Sequence, residues 1–216
     1  MRTAAVLLFL LPGSQVLAQE SLETKLVITQ EGRETGREEF TLRPGRGRGA
    51  PGSTLTAVAR YPSTNPLSKF SAILERTPEY ALAKFQLDVE SPNGTTVILA
   101  AGSGARLIVR TVAKGSEAGR EMPGGPDVVL LDESLYSLYT AVADLATPAG
   151  KSLTGVFPRS GRRAAFTARR DEGAGGGAAR VTLSGDISGT LTTDPKGGLQ
   201  RLEIPGSGIL VTRAQD

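Results

Sequence analysis

The stretch LLDESLYSLYTAVADLATPAG (residues 130–150) interrupts a chain that otherwise alternates apolar and polar residues. Asp132 is a suitable N-cap residue at its start, and Pro148 and Gly150 stop a helix at its end. The stretch therefore predicts one α-helix near residues 133–147. Its apolar side chains recur three and four residues apart, as on one face of a helix, at Leu135, Leu138, Tyr139, Val142 and Leu145.

Short alternating segments separated by Gly- and Pro-rich turns lie on both sides of this helix. The clearest pair is YALAKFQLDVE (80–90) and TTVILAA (95–101), joined by SPNG (91–94). Asn-Gly is a strong hairpin signal because both residues tolerate the positive φ of a primed turn. The polar stretch KGSEAGREMPGGPD (114–127) is predicted as a long loop. This pattern gives about seven strands before the helix and six after it.

Several predicted strands carry apolar residues on both faces, notably 95–101 and 105–113. One face of such a strand would line the concave interior of the sheet, and the other would need a cover. The sequence therefore predicts a mainly β fold. We expect a strongly curved antiparallel sheet, or half-open barrel, of about 11–13 strands with one covering α-helix.

The first residues have the features of a secretory signal peptide. Arg2 supplies positive charge, residues 4–11 form a short apolar run, and the residues before Ala18 suit a cleavage site. We expect residues 1–18 to be removed and 19–216 to form a single β-rich domain. The apolar run is too short to span a membrane as a helix, which takes about 20 residues. The protein is thus predicted to be periplasmic or secreted, with no transmembrane segment in the mature chain.

The composition excludes several kinds of chemistry. The chain has no His and no Cys, so a Ser-His-Asp or Cys-His nucleophile and a His/Cys zinc site are impossible. Lys and Arg number 25 against 22 Asp and Glu, a balance that does not favour a nucleic-acid partner. Asp88 and Glu90 share one face of a predicted strand and are a carboxylate pair that could serve a glycoside hydrolase, but alternation alone explains this polar face. We predict no catalytic residues, no metal, no cofactor and no enzymatic activity.

A terminal pattern resembles that of an uncharacterised family of exported bacterial β-rich proteins. The stretch GTLTTDPKGGLQRLEIPGSGILVTR (189–213) carries it, at Asp194, Gly198, Leu199, Arg201, Glu203 and Pro205. The order of elements is also similar to that of the periplasmic lipoprotein carriers of the LolA/LolB kind. This resemblance implies a half-open barrel that holds acyl chains under a helical lid.

The function that follows is binding of an apolar ligand, such as an acyl chain, on the concave face of the curved sheet. The alternative is a structural or assembly protein of the cell envelope that binds another protein and no small ligand. Tyr136 and Tyr139 are expected either in the core or at the mouth of a pocket. The predicted ligand-binding residues are Phe70, Leu74, Phe85, Leu87, Leu107, Val109, Tyr136, Tyr139, Phe157 and Phe166.

Overall fold

The protein is built from one continuous, strongly curved sheet that forms a nearly closed barrel around a short helix. A computed structural model describes residues 21–46, 50–171 and 178–215. The predicted mainly β fold, with a curved sheet and one helix, is confirmed. The predicted signal peptide, residues 1–18, lies outside the described residues.

The sheet has fifteen strands, where about 11–13 were expected. The strands are β1 (Leu22–Gln30), β2 (Arg33–Arg46), β3 (Ala50–Tyr61), β4 (Ser68–Arg76), β5 (Leu82–Ser91), β6 (Gly94–Ser103), β7 (Arg106–Ala113), β8 (Ser116–Pro123), β9 (Val128–Leu130), β10 (Lys151–Phe157), β11 (Arg162–Arg170), β12 (Ala179–Gly185), β13 (Gly189–Thr193), β14 (Leu199–Ile204) and β15 (Ile209–Arg213).

The strand order is β8-β7-β6-β5-β4-β3-β2-β1-β15-β14-β13-β12-β11-β10-β9. All neighbours are antiparallel except β9 and β10, which are parallel. Two meanders, β1 to β8 and β10 to β15, are therefore joined where β1 pairs with β15. The β9 edge curls round to approach β5, three strands in from the opposite edge, and this closes most of the barrel.

Alternation of strand direction places the turns at two ends of the barrel. We call upper the end that carries the β1–β2, β10–β11, β12–β13 and β14–β15 turns, and lower the opposite end. The β8–β9 connection, which joins the two edges of the sheet, lies at the lower end.

The predicted loop at 114–127 is wrong over most of its length, because it contains strand β8. Lys114 and Gly115 both have positive φ, 45° and 78°, as a primed two-residue hairpin turn requires. Strand β8 is exposed along its length except at Met122, so it shows no apolar alternation. Charged, polar side chains are typical of an edge strand, where they discourage pairing with other chains.

The predicted hairpin at 91–94 is present, but its turn is of another kind. Ser91 pairs with Gly94, and Pro92 and Asn93 form the turn between them. Gly94 has a φ of 111°, whereas Asn93 is not among the residues with positive φ. Proline fixes its own φ near −65°, which is incompatible with a primed turn centred on Pro92 and Asn93.

The helix lies inside the barrel. Residues 131–146, which we call the central segment, enter at the upper end after β9 and descend to the lower end before β10. They form a 3₁₀ turn (Tyr136–Tyr139) followed directly by α1 (Thr140–Leu145). Parallel strands cannot be joined by a tight turn and need a crossover of a dozen residues or more, usually a helix. The parallel pairing of β9 and β10 thus requires the central segment.

The middle of the central segment is buried on all sides, and not only along the predicted apolar stripe. Every residue from Leu135 to Ala143 is buried, including Ser137 and Thr140. α1 packs against the inner faces of β11, β12 and β13, and the 3₁₀ turn packs against β2 and β14. The helix therefore fills the barrel, where the sequence suggested a lid with one exposed face.

Candidate functional site

A cleft of about 720 Å³ opens at the upper end of the barrel, which we call the upper cleft. Its walls come from the start of the central segment and from four turns at this end. Its lining residues are Gln30, Asp132, Glu133, Tyr136, Tyr139, Phe157, Arg162, Gly185, Asp186, Ile187, Ser188, Ile204, Gly206, Ser207 and Ile209. The aromatic and isoleucine side chains give it an apolar floor, and the charged side chains surround that floor.

Tyr136 and Tyr139 form the part of this floor that belongs to the central segment. Their rings stack with centroids 6.5 Å apart, and only 6% and 3% of their surfaces are exposed. Burial raises the pKa of Tyr136 to about 12 and that of Tyr139 still further. Both hydroxyl groups therefore keep their protons at neutral pH and can donate hydrogen bonds in the cleft.

A buried carboxylate from the barrel wall holds this end of the central segment. The Tyr136 backbone N–H donates to Glu38 Oε2 at 2.7 Å, and the Ser137 N–H donates to Oε1 at 3.1 Å. Glu38 on β2 thus does for the 3₁₀ turn what an N-cap side chain does for a helix. The predicted N-cap, Asp132, is wrong: Leu135 precedes the turn and makes no side-chain cap.

Glu38 is fully buried, and burial raises its pKa to about 7. The hydrogen bonds from Ser137 and Tyr136 act in the opposite direction, and the nearby Asp132 carboxylate adds to the rise. Sequence reasoning missed Glu38 as a functional residue. The signal was present, because Glu38 alternates with the apolar residues Phe40 and Leu42 on one face of β2.

Asp132 instead anchors the loop that leads into the central segment. It accepts a hydrogen bond from the Ser134 N–H at 2.8 Å. It also accepts a bidentate pair of hydrogen bonds from the Arg159 guanidinium, at 2.9 and 3.0 Å. Burial raises the pKa of Asp132, and the Arg159 charge offsets part of that rise. The Tyr61 hydroxyl donates to the Ser134 carbonyl at 3.0 Å, so the loop is also tied to β3.

Arg162, Glu133 and Asp186 form the charged rim of the upper cleft. The Arg162 guanidinium carbon lies 3.5 Å from the centre of the Phe157 ring, and its Nε lies 3.6 Å from a Glu133 oxygen. Asp186 accepts the Ala165 N–H at 2.8 Å and has no ion-pair partner among the described residues.

Two arginines from the wall secure the other end of the helix. Arg76 on β4 is buried and pairs with Asp144 at 2.6 Å. Arg170 on β11 donates to the Ala143 carbonyl at 2.6 Å. Cations near a helix C-terminus, like a carboxylate near its N-terminus, match the helix dipole. The central segment is therefore fixed at both ends by charged groups of the barrel.

A second, smaller cleft of about 480 Å³ lies at the lower end, between the β4–β5, β6–β7 and β8–β9 connections. Its walls are mostly backbone and small or aliphatic residues. It is lined by Thr77, Ala81, Leu82, Gly102, Gly104, Ala105, Leu107, Gly124, Gly125, Pro126 and Val128. It has no aromatic residue and no charged residue in its lining.

All ten predicted ligand-binding residues are buried, but the structure does not gather them around one cavity. Tyr136, Tyr139 and Phe157 line the upper cleft, and Leu107 lines the lower one. The central segment fills the concave interior in which the sequence placed all ten. The others belong to the core, namely Phe70, Leu74, Phe85, Leu87, Val109 and Phe166. Ligand binding by these residues stays a prediction.

The two carboxylates Asp88 and Glu90 each have a partner, one on the same strand and one on the neighbouring strand. Asp88 accepts hydrogen bonds from Gln86 on its own strand, at 3.0 and 3.3 Å. Glu90 pairs with Lys69 of β4 at 3.0 Å. Within residues 21–46, 50–171 and 178–215, no group of three or more Asp or Glu side chains could hold a metal ion.

Comparison with solved structures supports the barrel. No known family model and no curated protein matches the sequence. The chain is similar in fold to a β-barrel-like protein of the domain of unknown function DUF1849 from Brucella abortus. The TM-score is 0.56 at 9% identity, over 90% of this chain and 95% of that one. A DUF1089 family protein from Pseudomonas aeruginosa aligns over 94% of this chain and 98% of that one. Its TM-score is 0.42 at 13% identity.

Proposed function

We propose that this protein is an exported binding protein that holds an apolar ligand, such as an acyl chain, in the upper cleft. The single observation that carries the proposal is the cleft itself. Its volume of about 720 Å³ falls within the range of about 300–1,000 Å³ that is usual for ligand sites. Its floor is apolar and a few polar groups surround it, which is the usual composition of such sites.

The position of the cleft modifies the expectation from the sequence. The deep interior is filled by α1, so an acyl chain would lie across the upper mouth, over Tyr136 and Tyr139. These two tyrosines pack in the core and also border the open space of the cleft. The proposed site thus combines both expected roles of the tyrosines, since their rings are in the core and also face the cleft.

Export and a role like that of the LolA/LolB carriers are parts of this proposal. The signal-peptide pattern of residues 1–18 supports a periplasmic or secreted location. The barrel plan with an internal helix supports a carrier or sequestering role. None of the helices in the described ranges is long and apolar enough to cross a membrane.

The first test is native mass spectrometry of the full chain after gentle purification from an exporting host, with a neutral fluorescent naphthylamine dye as a binding probe. Gly206→Phe is the matched variant, because Gly206 lines the cleft and a Cβ at this position meets nothing within 4 Å. Gly119→Phe is its control, since Gly119 also has open space but lies on the edge strand β8.

We expect a co-purified apolar ligand or saturable dye binding. Gly206→Phe should weaken that binding at least about tenfold, and Gly119→Phe should leave it unchanged. Absence of both ligand and dye binding in the parent protein would overturn the proposal. Equal binding by both glycine variants would show that the dye binds elsewhere.

The alternative, an assembly protein of the cell envelope, is favoured by a different observation. An assembly protein needs no internal ligand cavity, and α1 fills the interior of the barrel. The outer face of β7 also exposes Ile108 and Val112, next to the edge strand β8. A photo-reactive residue at position 108 should then cross-link one defined envelope protein in cells. Loss of that product with Val112→Glu would support the alternative, and a product unchanged by Val112→Glu would count against it.

A further inference from the structure

We propose that the upper cleft selects an amphiphile whose polar head is a cation of the ammonium type, in preference to a free carboxylate. The inference rests on the proposed function, because it names the class of ligand for the same cleft. Three observations support it: the balance of charge in the lining, the cation of Arg162 over an aromatic ring, and the aliphatic surface that lies beside the polar groups.

Carboxylates outnumber cations at this mouth. The lining contains the carboxylates of Asp132, Glu133 and Asp186, and the guanidinium of Arg162. Behind the lining, Arg159 pairs with Asp132 and lies 3.5 Å from Glu133. Even with Arg159 counted, three carboxylates face two cations. The group left over is Asp186, whose carboxylate has no ion-pair partner among the described residues.

The aromatic wall already accommodates a positive charge. The Arg162 guanidinium lies 3.5 Å over the Phe157 ring, and the stacked rings of Tyr136 and Tyr139 line the same cleft. The face of an aromatic ring attracts cations, and aromatic walls combined with acidic groups recognise quaternary ammonium ligands. A free carboxylate head would be repelled by Asp186 and would gain no cation–π attraction from these rings.

The cleft offers aliphatic surface beside its polar groups, as an amphiphile requires. Ile204 and Ile209 flank the β14–β15 turn, and Ile187 lies beside Asp186 in the β12–β13 turn. Glu133 and Arg162 come from the start of the central segment and from the start of β11. A ligand with its tail on the isoleucines would keep its head within the same cleft, near Asp186 and the aromatic rings.

The test compares probes that share one tail and differ only in the head. The full chain is titrated at low salt and pH 7.4 with octyltrimethylammonium, octanol and octanoate, each below its critical micelle concentration, and with choline. We expect octyltrimethylammonium to bind at least about tenfold more tightly than octanoate, with octanol between them. Choline, which lacks the tail, should bind more weakly than octyltrimethylammonium.

Charge variants make the assignment specific. Asp186→Asn should weaken the binding of octyltrimethylammonium about three- to tenfold more than it weakens the binding of octanol. Arg162→Ala, which frees the Phe157 face and Glu133, should strengthen octyltrimethylammonium and weaken octanoate. Arg163→Ala is the matched control, because Arg163 is the next residue on β11, is exposed and does not line the cleft. It should change neither affinity.

The outcomes separate this inference from the proposed function. The head-group preference would be overturned if octanoate bound as tightly as octyltrimethylammonium, or if Asp186→Asn had no effect. In either case, binding of octanol would still support the proposed function. If choline bound as tightly as octyltrimethylammonium, the apolar tail would contribute nothing, and the claim that the ligand is an amphiphile would be wrong. No binding of any octyl probe would overturn the proposed function itself.

Discussion

The buried carboxyl group of Glu38 should make the stability of the barrel depend on pH in a defined way. Burial raises the pKa of Glu38 from an ordinary value of 4.5 to about 7. Between these two pH values the folded protein binds one more proton than the unfolded chain. The free energy of unfolding therefore falls as the pH rises through this window, and the contribution is complete below pH 4.5.

The size of the effect follows from the same two pKa values. One pKa unit corresponds to about 1.4 kcal/mol, so a carboxyl group whose pKa rises from 4.5 to about 7 contributes about 3 kcal/mol. Glu38→Gln removes the titration but keeps an oxygen that can accept the Tyr136 N–H, now 2.7 Å from Glu38 Oε2. We expect the parent protein to lose about 3 kcal/mol more than Glu38→Gln does between pH 4.5 and 8.

The assay is urea unfolding followed by far-ultraviolet circular dichroism at several pH values. Glu39→Gln is the matched control, since Glu39 is the next residue on β2 but its side chain is 54% exposed. Glu39→Gln should keep the pH dependence of the parent. A Glu38→Gln variant that loses as much stability as the parent over this window would show that titration of Glu38 does not cause the pH dependence.

The other predictions concern contacts of the central segment. A Cβ at Gly36 would lie 2.2 Å from the Tyr61 ring, so Gly36→Ala should displace that ring, break its hydrogen bond to the Ser134 carbonyl and cost about 1–3 kcal/mol. Asp144→Ala removes the carboxylate that pairs with buried Arg76 and should cost about 3 kcal/mol. Leu138→Ala leaves a cavity beside a fully buried position and should cost about 2–5 kcal/mol. Each is measured as a shift of the urea midpoint.

Each of these changes has a control elsewhere in the chain. Gly119→Ala places its Cβ in open space, Asp127→Ala removes an exposed pair with Lys151, and Leu67→Ala truncates a side chain that is 65% exposed. All three controls should change stability by less than about 1 kcal/mol. Controls as damaging as their counterparts would show that the barrel does not depend on its central segment in the way we describe.

The sequence predicted the strands that bury one face, because apolar residues then recur at every second position. Strand β8 was missed because only Met122 is buried in it, and an edge strand needs no apolar alternation. The two-residue turn at Lys114-Gly115 was the signal that could have found it. Pairing of distant strands, such as β1 with β15, is decided by the curvature of the whole sheet.

The apolar stripe of the helix did not predict that the helix lies inside the barrel. Leu135 and the residues after it were interpreted as one apolar stripe, which predicts a lid. Residues 134–143 contain no charged side chain at all, and a helix without a charged face is typically buried on all sides. Glu38 could not be assigned to the end of this segment, because 98 residues separate it from Tyr136.

The central claim, that an apolar ligand binds at the upper mouth of a filled barrel, is tested most directly by NMR of isoleucine methyl groups. Three of the seven isoleucines line the upper cleft, namely Ile187, Ile204 and Ile209. The other four lie in the core or on the outer face, at Ile28, Ile73, Ile98 and Ile108. Addition of octanol should shift the methyl signals of the first three and leave those of Ile73, Ile98 and Ile108 in place. Unchanged signals from Ile187, Ile204 and Ile209, or shifts confined to the other isoleucines, would contradict the account.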